Sequence, residues 1–475
     1  MPIFLDPYLK MRKDGNRVII YPITDSDFDR SFDFSWRIID PRAAIIISLF
    51  DGVQTTDDVI GAWTSLNGFS GEQGRSEVER TLRDYKYMLL EQESVPVGFT
   101  PLNPETLVCD MANLDYSVNR VCIPFSVLYL PTLRCGHNCR YCYADITKAA
   151  DPNELTFSEL ENIVNQAVSF QFSDFNLSGG DPFLRKDVFE IIEMLFSRGF
   201  RQDVPTKSPL TDAQIKRLKD MGVTRVQISL DSPFSSEIVE YLTGRNDYFP
   251  EIMRTLMALG EAGFKVGITS VITVQTIDSV LAMADFYGKL GFIKRVSFSQ
   301  VGGSIYRDFP ELYPPPEKYE ELEKEIERVK PHYPHMYIRY SYVKDSFFMD
   351  REERGDHFQK RPTCSGGKFA FVLLPDGRVT LCEELYYHPD FIVGDLKKQT
   401  IMEMWNSPEI LRVVEPNQDE FTGTVCFDCD TFYECHTGKG RCWKRVLKAF
   451  QDKPNGAHWP DPLCPQAPQV AERMS

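Results

Sequence analysis

The sequence predicts an α/β protein whose central part is a partial (β/α)6 barrel, preceded by a small winged-helix-like α+β domain and followed by a cysteine-rich domain. Three observations predict this arrangement. Six apolar strand patterns alternate with amphipathic helical patterns between about residues 123 and 305, a hairpin pattern and three helical patterns occupy residues 1–100, and seven of the twelve cysteines lie from Cys364 onwards.

Composition limits the classes of function. With 42% hydrophobic and 12% aromatic residues, the 475-residue chain can bury the cores of several domains. Its formal net charge of -16 argues against nucleic-acid binding, because phosphate recognition needs a basic surface. Asp6 and Lys10 interrupt the apolar core that a signal peptide needs, and apolar runs such as residues 43–50 are too short to cross a bilayer. We expect a cytoplasmic protein that binds neither nucleic acid nor membrane; small molecules and neutral or basic peptides remain open.

The N-terminal block, residues 1–100, has the pattern of a small α+β domain. A hairpin with its turn at Asp14 and Gly15 comes first. Three helical patterns follow, and Thr55 or Thr56 is the expected cap of the second. Two strands and three helices favour a winged-helix-like unit, from which a proline-bearing connector leads to the next block. The boundaries are residues 8–23 for the hairpin, 40–52, 55–68 and 76–93 for the helices, and 101–122 for the connector.

The central block, residues 123–305, alternates strand and helix patterns at the spacing of parallel βαβ units. Six such units suggest an open barrel, in which active groups lie at the carboxyl ends of the strands. A bridging segment over residues 306–361 contains a charged helical pattern after a proline run, and we expect a solvated connecting helix there. The predicted strands cover residues 127–135, 175–180, 200–207, 225–231, 265–273 and 295–301.

The stretch CGHNCRYCY ends the first predicted strand and holds three cysteines, Cys135, Cys139 and Cys142. Disulfides are rare in cytoplasmic chains, so clustered thiols favour a metal site. Structural zinc would need a fourth ligand nearby, whereas a four-iron cluster held by three thiolates has one iron open for another molecule. The spacing alone leaves a zinc knuckle or buried free thiols as alternatives.

This motif, followed after the second strand by SGGDP, resembles the signature of the radical S-adenosylmethionine (radical SAM) enzymes, whose fold is a partial TIM-like barrel. The resemblance implies that the three cysteines bind a [4Fe–4S] cluster whose open iron chelates S-adenosylmethionine. It also implies cofactor contacts from Tyr141 in the cysteine motif and from Gly179, Gly180 and Asp181. The family motif GGEP has Glu where this chain has Asp181.

Three further cofactor contacts follow from the same resemblance. Ser229 on the fourth strand pattern matches a position that often contacts the ribose or carboxylate of the cofactor. Arg245 resembles an arginine that pairs with that carboxylate, and Lys207 at the end of the third strand pattern is a third candidate. For each of them, an ordinary polar residue at a strand end is the alternative.

The cysteines of residues 362–475 resemble the SPASM extension of that family, which binds two auxiliary iron–sulfur clusters. The pattern departs from the family in one place. Six residues instead of three follow the third cysteine of the CxxCxxxxxC run, so Lys439 stands at the expected position and Cys442 would be a displaced ligand. A zinc ribbon is the alternative. The resemblance implies three [4Fe–4S] clusters in all, with Cys426, Cys429, Cys435 and Cys464 holding the outer auxiliary cluster and Cys364, Cys382 and Cys442 the inner one.

The inner auxiliary cluster would lack a fourth cysteine, since no cysteine lies between Cys142 and Cys364. Its open iron offers a site for a substrate thiolate, and Asp356, His357 or a water is the alternative ligand.

Residues 1–100 resemble the PqqD-like recognition domain of ribosomally made, modified peptides, in the hairpin and in the stretch IIDPRAAIIISLFDGVQTTDDVI. The resemblance implies that the leader of a precursor peptide adds as a strand to the sheet of this domain. A winged helix with a structural role only is the alternative.

Together, the three resemblances predict a maturase that installs a thioether, from a cysteine sulfur to a carbon, in a ribosomal precursor peptide. An external one-electron donor such as flavodoxin or ferredoxin is the second expected partner. The alternative is carbon–carbon crosslinking or epimerisation, and an epimerase would need a hydrogen-atom donor such as Cys109 or Cys122. A sulfatase-type maturase and a non-catalytic iron–sulfur protein are less favoured.

Overall fold

The chain forms two compact units, Met1–Ile123 and Pro124–Ser475. The predicted domains 1–100 and 362–475 each contain short segments outside the residues that the structure describes. None of the helices described is long and apolar enough to cross a membrane. The computed structural model describes residues 2–23, 34–92, 94–95, 99–144, 146–149 and 151–470.

The first unit combines two small antiparallel sheets with three helices. Its described elements are β1 (Ile3–Leu5), β2 (Leu9–Lys13), β3 (Val18–Pro22), β4 (Arg37–Ile39), α1 (Pro41–Leu49), α2 (Thr56–Asn67), α3 (Gly71–Asp84) and β5 (Leu89–Glu91). One sheet has the order β2-β3-β4, and the other pairs β1 with β5. The predicted hairpin is present as β2 and β3, because Lys13 pairs with Val18 across a turn in which Gly15 has a φ of +66°.

The first two helices of this unit begin as predicted, whereas α3 begins at Gly71, five residues before the predicted start, and also ends early. Of the two candidate caps of α2, Thr55 accepts the backbone N–H of Asp58, whose carboxylate accepts the backbone N–H of Thr55. The prediction of a third helix up to residue 93 is wrong, because α3 ends at Asp84. The residues that continue the helical pattern form β5 instead, since pairing with β1 satisfies their backbone groups. Residue 93 itself lies outside the described residues.

Residues 101–122, predicted as a connector, pack on the first unit. Leu107 and Cys109 are buried in the core that the β2-β3-β4 sheet forms with α1. The buried guanidinium of Arg17 donates a hydrogen bond to the carbonyl of Arg120 at 2.5 Å. These contacts make the segment part of the folded unit.

The second unit contains the barrel and the cysteine-rich part. Its described strands are β6 (Ser126–Tyr129), β7 (Asp174–Leu177), β8 (Val204–Thr206), β9 (Arg225–Ser229), β10 (Lys265–Ile272), β11 (Ile293–Gln300), β12 (Tyr337–Ser341), β13 (Ala370–Leu373), β14 (Arg378–Thr380) and β15 (Gly394–Asp395). Its described α-helices are α4 (Phe157–Ser169), α5 (Val188–Ser197), α6 (Asp212–Asp220), α7 (Ser236–Thr243), α8 (Tyr248–Glu261), α9 (Val280–Lys289), α10 (Pro316–Val329), α11 (Arg351–Lys360), α12 (Ile401–Trp405), α13 (Pro408–Val414) and α14 (Trp443–Phe450).

All six predicted barrel strands are present, as β6 to β11. Strands β8 to β12 form a five-stranded parallel sheet, and β6 pairs in parallel with β7 in a second sheet. Side chains such as Val226, Ile228 and Ile268 are fully buried, as expected of parallel strands that helices cover. The carboxyl ends of these strands therefore meet at one edge.

Two strands outside the predicted barrel extend it. In the bridging segment, β12 pairs in parallel with β11. In the cysteine-rich part, β13 pairs in parallel with β6, and β14 and β15 continue that sheet. The cysteine-rich part is thus hydrogen-bonded to the first barrel strand.

Helix α10 corrects the expectation of a solvated connecting helix. Tyr319, Leu322 and Ile326 are buried, and their spacing of three and four residues places them on one face. From β12, the Tyr340 hydroxyl donates to the carbonyl of Tyr319 at 2.7 Å. The helix is polar on one face only and covers the end of the barrel sheet.

Candidate active site

A cavity of about 510 Å³ lies at the carboxyl ends of the barrel strands. Its wall contains the loop after β6, the residues that follow β7, and the ends of β8 to β11. Ligands of parallel α/β folds bind at this edge. The predicted site residues on the wall are Cys135, Cys139, Cys142, Tyr141, Gly179, Gly180, Ser229 and the candidate Lys207.

Main-chain hydrogen bonds fix the cysteine loop. The N–H of Asn138 donates to the carbonyl of Thr243 at 3.0 Å, and the N–H of Arg140 donates to that of Leu242 at 2.9 Å. Both acceptors lie at the carboxyl end of α7, where helix carbonyls lack intrahelical partners. The loop between Cys135 and Cys142 is thereby held against the barrel.

The three thiols of this loop lie close to one another. Burial is the largest cause that raises the pKa of Cys135, Cys139 and Cys142. Charge on a neighbouring cysteine of the same loop raises each pKa further. Metal binding would remove these protons, because thiolates are the ligands.

The SGGDP turn lies so close to the backbone of the segment that leads into the cysteine loop that both of its glycines are required. The N–H of Gly180 donates to the carbonyl of Thr132 at 3.0 Å. A Cβ on Gly180 would collide with the carbonyl oxygen of Arg134, and one on Gly179, whose φ is +112°, would lie 2.7 Å from the carbonyl oxygen of Thr132. The two motifs are therefore in backbone contact, and glycine is needed for that approach.

Asp181 turns away from the cavity. Its carboxylate accepts the backbone N–H groups of Phe183 at 3.0 Å, Lys207 at 3.0 Å and Ser208 at 2.7 Å. Burial raises the pKa of this carboxyl, and the hydrogen bonds offset part of that rise. Gly179 and Gly180 line the cavity, but the structure does not place Asp181 on the cavity wall. Its carboxylate ties the SGGDP turn to the end of β8.

Tyr141 is anchored by two buried charged residues. Its hydroxyl donates to Asp231 Oδ2 at 2.5 Å and accepts from Lys207 Nζ at 2.6 Å. Lys207 Nζ also lies 3.1 Å from Asp231 Oδ2. Burial is the largest single cause and lowers the pKa of Lys207, but the Asp231 carboxylate and the neighbouring thiol and phenol groups together outweigh it and raise the pKa well above its ordinary value. Sequence reasoning missed Asp231, although a carboxylate that ends an apolar barrel strand is a signal for a site residue.

Ser229 and Arg245 differ in their placement. Ser229 lies at the end of β9 on the cavity wall. Arg245, which the structure also describes, is not on the wall and pairs instead with Asp247 at 2.7 Å and Glu251 at 3.6 Å. The structure thus brings Ser229, but not Arg245, to the candidate cofactor cavity.

The inner group of C-terminal cysteines contains Cys364, Cys382 and Cys442. Burial and then charge from neighbouring groups, that of Cys442 among them, raise the pKa of both Cys364 and Cys382. Lys439, at the position where the family has its cysteine, instead directs its ammonium to the carbonyl of Gln359. This chain has its cysteine at residue 442 and not at 439, and Cys442 still interacts with the inner group.

The outer group contains the remaining four C-terminal cysteines. Burial raises the pKa of Cys426 to about 12, and charge from Cys464, Cys435 and Cys429 contributes to the rise. Arg361 Nη2 lies 3.6 Å from Cys435 Sγ, where it would stabilise a thiolate. The charges of the other three thiols, which come from two separate segments, thus act on Cys426.

A second cavity, of about 550 Å³, opens beside Cys442. His357 lies on its wall, whereas Asp356 lies with Arg351 on a separate surface depression. Of the two side chains considered as ligands for the inner group, His357 is the one that shares a cavity with Cys442.

The donor sets suit iron–sulfur clusters. Within the described ranges, no group of three or more His, Cys, Asp or Glu side chains is arranged to hold a single metal ion. Thiol-only sets of three, three and four are the ligand chemistry of four-iron clusters. The cysteines present therefore fit the clusters that the sequence implies.

Family comparisons agree with this geometry. Residues 129–287 match the Radical SAM superfamily, and residues 364–430 match SPASM, an iron–sulfur cluster-binding domain. The chain therefore contains a Radical SAM domain and a SPASM domain, which confirms the predicted α/β fold class. S-adenosylmethionine and iron–sulfur clusters are accordingly its cofactors.

Individual relatives cover most of the chain. It is 23% identical over 334 residues to the AdoMet-dependent heme synthase of Methanosarcina barkeri (strain Fusaro / DSM 804), covering 68% of this chain and 93% of that one. It is 25% identical over 355 residues to the mycofactocin maturase MftC of Mycolicibacterium smegmatis, covering 72% and 82%. The fold is similar to that of Streptococcus suis SuiB bound to precursor peptide SuiA, with a TM-score of 0.66, 15% identity, and coverage of 97% of this chain and 99% of SuiB.

Proposed function

We propose that this radical SAM protein is a peptide maturase that joins a cysteine sulfur of a ribosomal precursor peptide to a substrate carbon. The observation that carries the proposal is the second cavity, which reaches Cys442 of a three-cysteine group and shares part of its wall with the cavity of the Cys135 loop. A substrate cysteine bound at the inner group would lie next to the site of hydrogen abstraction. Such proximity favours carbon–sulfur bond formation.

The reaction balances in atoms and electrons. When bound and reduced by one electron from a donor such as flavodoxin or ferredoxin, S-adenosylmethionine and its cluster supply a 5′-deoxyadenosyl radical that takes a hydrogen atom from the substrate carbon. The thiol releases its proton, sulfur and carbon form one bond, and the surplus electron leaves to an external acceptor. The peptide loses two hydrogen atoms in total.

The residues of the chain hold the reacting groups in place. The backbone contacts of Gly180 and the anchoring of Tyr141 by Asp231 fix the cysteine loop at the barrel edge. Ser229 adds a hydroxyl to the cavity wall for the cofactor. A fixed wall of this kind keeps the radical close to its target and away from water.

The first unit is the proposed leader-binding domain. Within the described residues, β4 is an outer strand of the β2-β3-β4 sheet. An extended peptide can add as a further strand to the outer strand of a sheet. The similarity to a mycofactocin maturase and to SuiB, which binds its precursor peptide, supports a peptide substrate.

Of the two lone cysteines, Cys109 gives the epimerase alternative no support. Cys109 is packed in the core of the first unit, and burial raises the pKa of its thiol. A core thiol of this kind serves packing. The thioether proposal needs neither Cys109 nor Cys122.

The test is a reaction with the short peptide encoded next to the gene for this chain. Reconstituted protein, dithionite, S-adenosylmethionine and that peptide are combined without oxygen, and the peptide is analysed by mass spectrometry before and after thiol alkylation. We expect 5′-deoxyadenosine, a peptide lighter by two hydrogens, and one cysteine that no longer reacts with iodoacetamide. A lighter peptide whose cysteines all remain reactive would instead indicate carbon–carbon crosslinking.

A further inference from the structure

The two cavities of the second unit meet at a junction. Four of the shared wall residues come from β11 and its end, and the other two come from the cysteine-rich part. The residues on both walls are Ser299, Gln300, Val301, Gly302, Glu384 and Lys444. A substrate that spans the two cavities passes between the end of β11 and the side chains of Glu384 and Lys444.

Glu384 and Lys444 form an ion pair at this junction. Lys444 Nζ lies 2.5 Å from Glu384 Oε2, and the two side chains are 22% and 24% exposed. A partly exposed pair of this kind contributes little to stability. The carboxylate can accept further hydrogen bonds and the ammonium has three donors, so the pair retains capacity for a ligand.

The pair is tied to the inner cysteine group. Glu384 follows Cys382 by two residues. Lys444 follows Cys442 by two residues and lies in the first turn of α14. The distance from the ion pair to a substrate sulfur held at this group is therefore set by short, folded segments.

Gly302 keeps the opposite side of the junction open. A Cβ at this position would lie 3.8 Å from Lys444 Nζ, so a longer side chain would extend into the passage. The strand end instead offers bare backbone beside the ion pair. A peptide main chain, which is thin and polar, suits such a passage.

We propose that Glu384 and Lys444 clamp the backbone of the peptide substrate at this junction. Glu384 accepts a substrate N–H and Lys444 donates to a substrate carbonyl. The inference rests on the proposed function, because it takes the substrate to be a peptide. Successive side chains of an extended peptide point in opposite directions, so residues on the two sides of the clamp enter different cavities. The substrate class is an extended segment without proline at the clamped position, since proline lacks the N–H.

The protein test compares Glu384→Gln and Lys444→Met with a matched control, Lys448→Met. Lys448 lies one turn further along α14, pairs with Asp308 at 2.9 Å and is on neither cavity wall among the described residues. With the peptide encoded next to the gene, we expect each clamp variant to raise KM for crosslinking about tenfold to a hundredfold, as loss of a charge-assisted hydrogen bond does. The control should stay within about twofold of the wild type. Iron content and circular dichroism identify a variant that misfolds.

A second measurement leaves the protein unchanged. Single N-methyl groups are placed along the peptide, each of which removes one backbone N–H. We expect one position beside the crosslinked residue to lose about tenfold to a hundredfold in kcat/KM. A flat profile, or clamp variants with the KM of the control, would overturn the clamp while wild-type crosslinking upholds the thioether function. A wild-type protein that forms no crosslink at all would overturn both.

Discussion

At the scale of single residues, Tyr141 of the cysteine loop forms a largely buried polar group with Lys207 and Asp231. The side chains of Lys207 and Asp231 are 12% and 1% exposed. Removing one partner of a buried ion pair leaves an uncompensated charge, whereas removing both can be nearly neutral. The pair holds Tyr141 in position. The stability of the folded protein therefore depends on both charges.

We predict that Asp231→Asn destabilises the protein by about 3–5 kcal/mol, because Lys207 is left buried and charged. Lys207→Met/Asp231→Asn should recover most of that loss. Thermal unfolding of the cluster-loaded protein measures both effects. Lys207→Met alone is measured as well. A double variant whose melting temperature falls by the sum of the two single falls would mean that the two residues act independently.

Gly179 and Gly180 show what the sequence can and cannot predict at this scale. The motif correctly identifies them as positions of close backbone approach, and both lie on the cavity wall. The group that approaches them is the chain segment of Thr132 and Arg134, which no local pattern could indicate. Arg245 is the converse case: its motif suggests a cofactor contact, but nearby Asp247 already pairs with it.

Gly180→Ala should impair the site, because the new Cβ collides with the Arg134 backbone and the cysteine loop must shift. We expect a cost of about 1–3 kcal/mol in stability and a slower formation of 5′-deoxyadenosine. Gly136→Ala is the matched control, since its Cβ meets no described atom within 4 Å. Chromatographic assay of 5′-deoxyadenosine without peptide compares the two, and equal rates would contradict the packing argument.

At the scale of elements, the six barrel strands were predictable because each is an apolar run between helical patterns. Strand β12 was not, since its partly exposed residues give no continuous apolar run. The partner of β13 was equally hidden, because β6 lies far away in the sequence. For α10, the charged face dominated the composition and concealed the three buried residues that place it on the sheet.

Cys442→Ala should remove one cluster and leave the other two, because Cys442 belongs with Cys364 and Cys382, whose pKa values its charge raises. We expect iron to fall from about twelve to about eight atoms per chain, given four irons in each cluster. Cys122→Ala, which alters a cysteine of the first unit, should leave iron unchanged. Iron analysis after reconstitution decides the matter, and an unchanged count in Cys442→Ala would show that the displaced cysteine is not a ligand.

At the scale of the whole molecule, the chain separates into two units at Ile123. The sequence predicted two domains here but ended the first at residue 100. The proline-bearing segment has the composition of a linker, yet Leu107 and Cys109 are buried in the first unit's core. Isolated apolar residues within a polar stretch give no hydrophobic periodicity, so the sequence does not indicate that they are buried.

A protein that starts at Pro124 should retain peptide-independent cleavage of S-adenosylmethionine, because its cavity residues all belong to the second unit. It should bind the full precursor at least about tenfold more weakly, since strand addition to the β2-β3-β4 sheet would be lost. Fluorescence anisotropy with a labelled leader measures the affinity. Removal of residues 1–100 alone would expose Leu107, which is fully buried in the first unit, and is the poorer truncation. Unchanged affinity would contradict the docking role.

The pairing of β6 with β13 has a consequence for biosynthesis. Ser126 finds its partner Ala370 only after roughly 240 further residues have been made. At translation speeds of about 5–20 residues per second, one side of β6 stays uncovered for roughly 12–50 seconds. Unpaired strand edges attract other chains during that interval. Cys364 and Cys382 flank β13, so iron delivery to the inner group must also wait for the nascent chain to emerge. Chaperones that cover the strand edge during synthesis should therefore raise the yield of fully loaded protein.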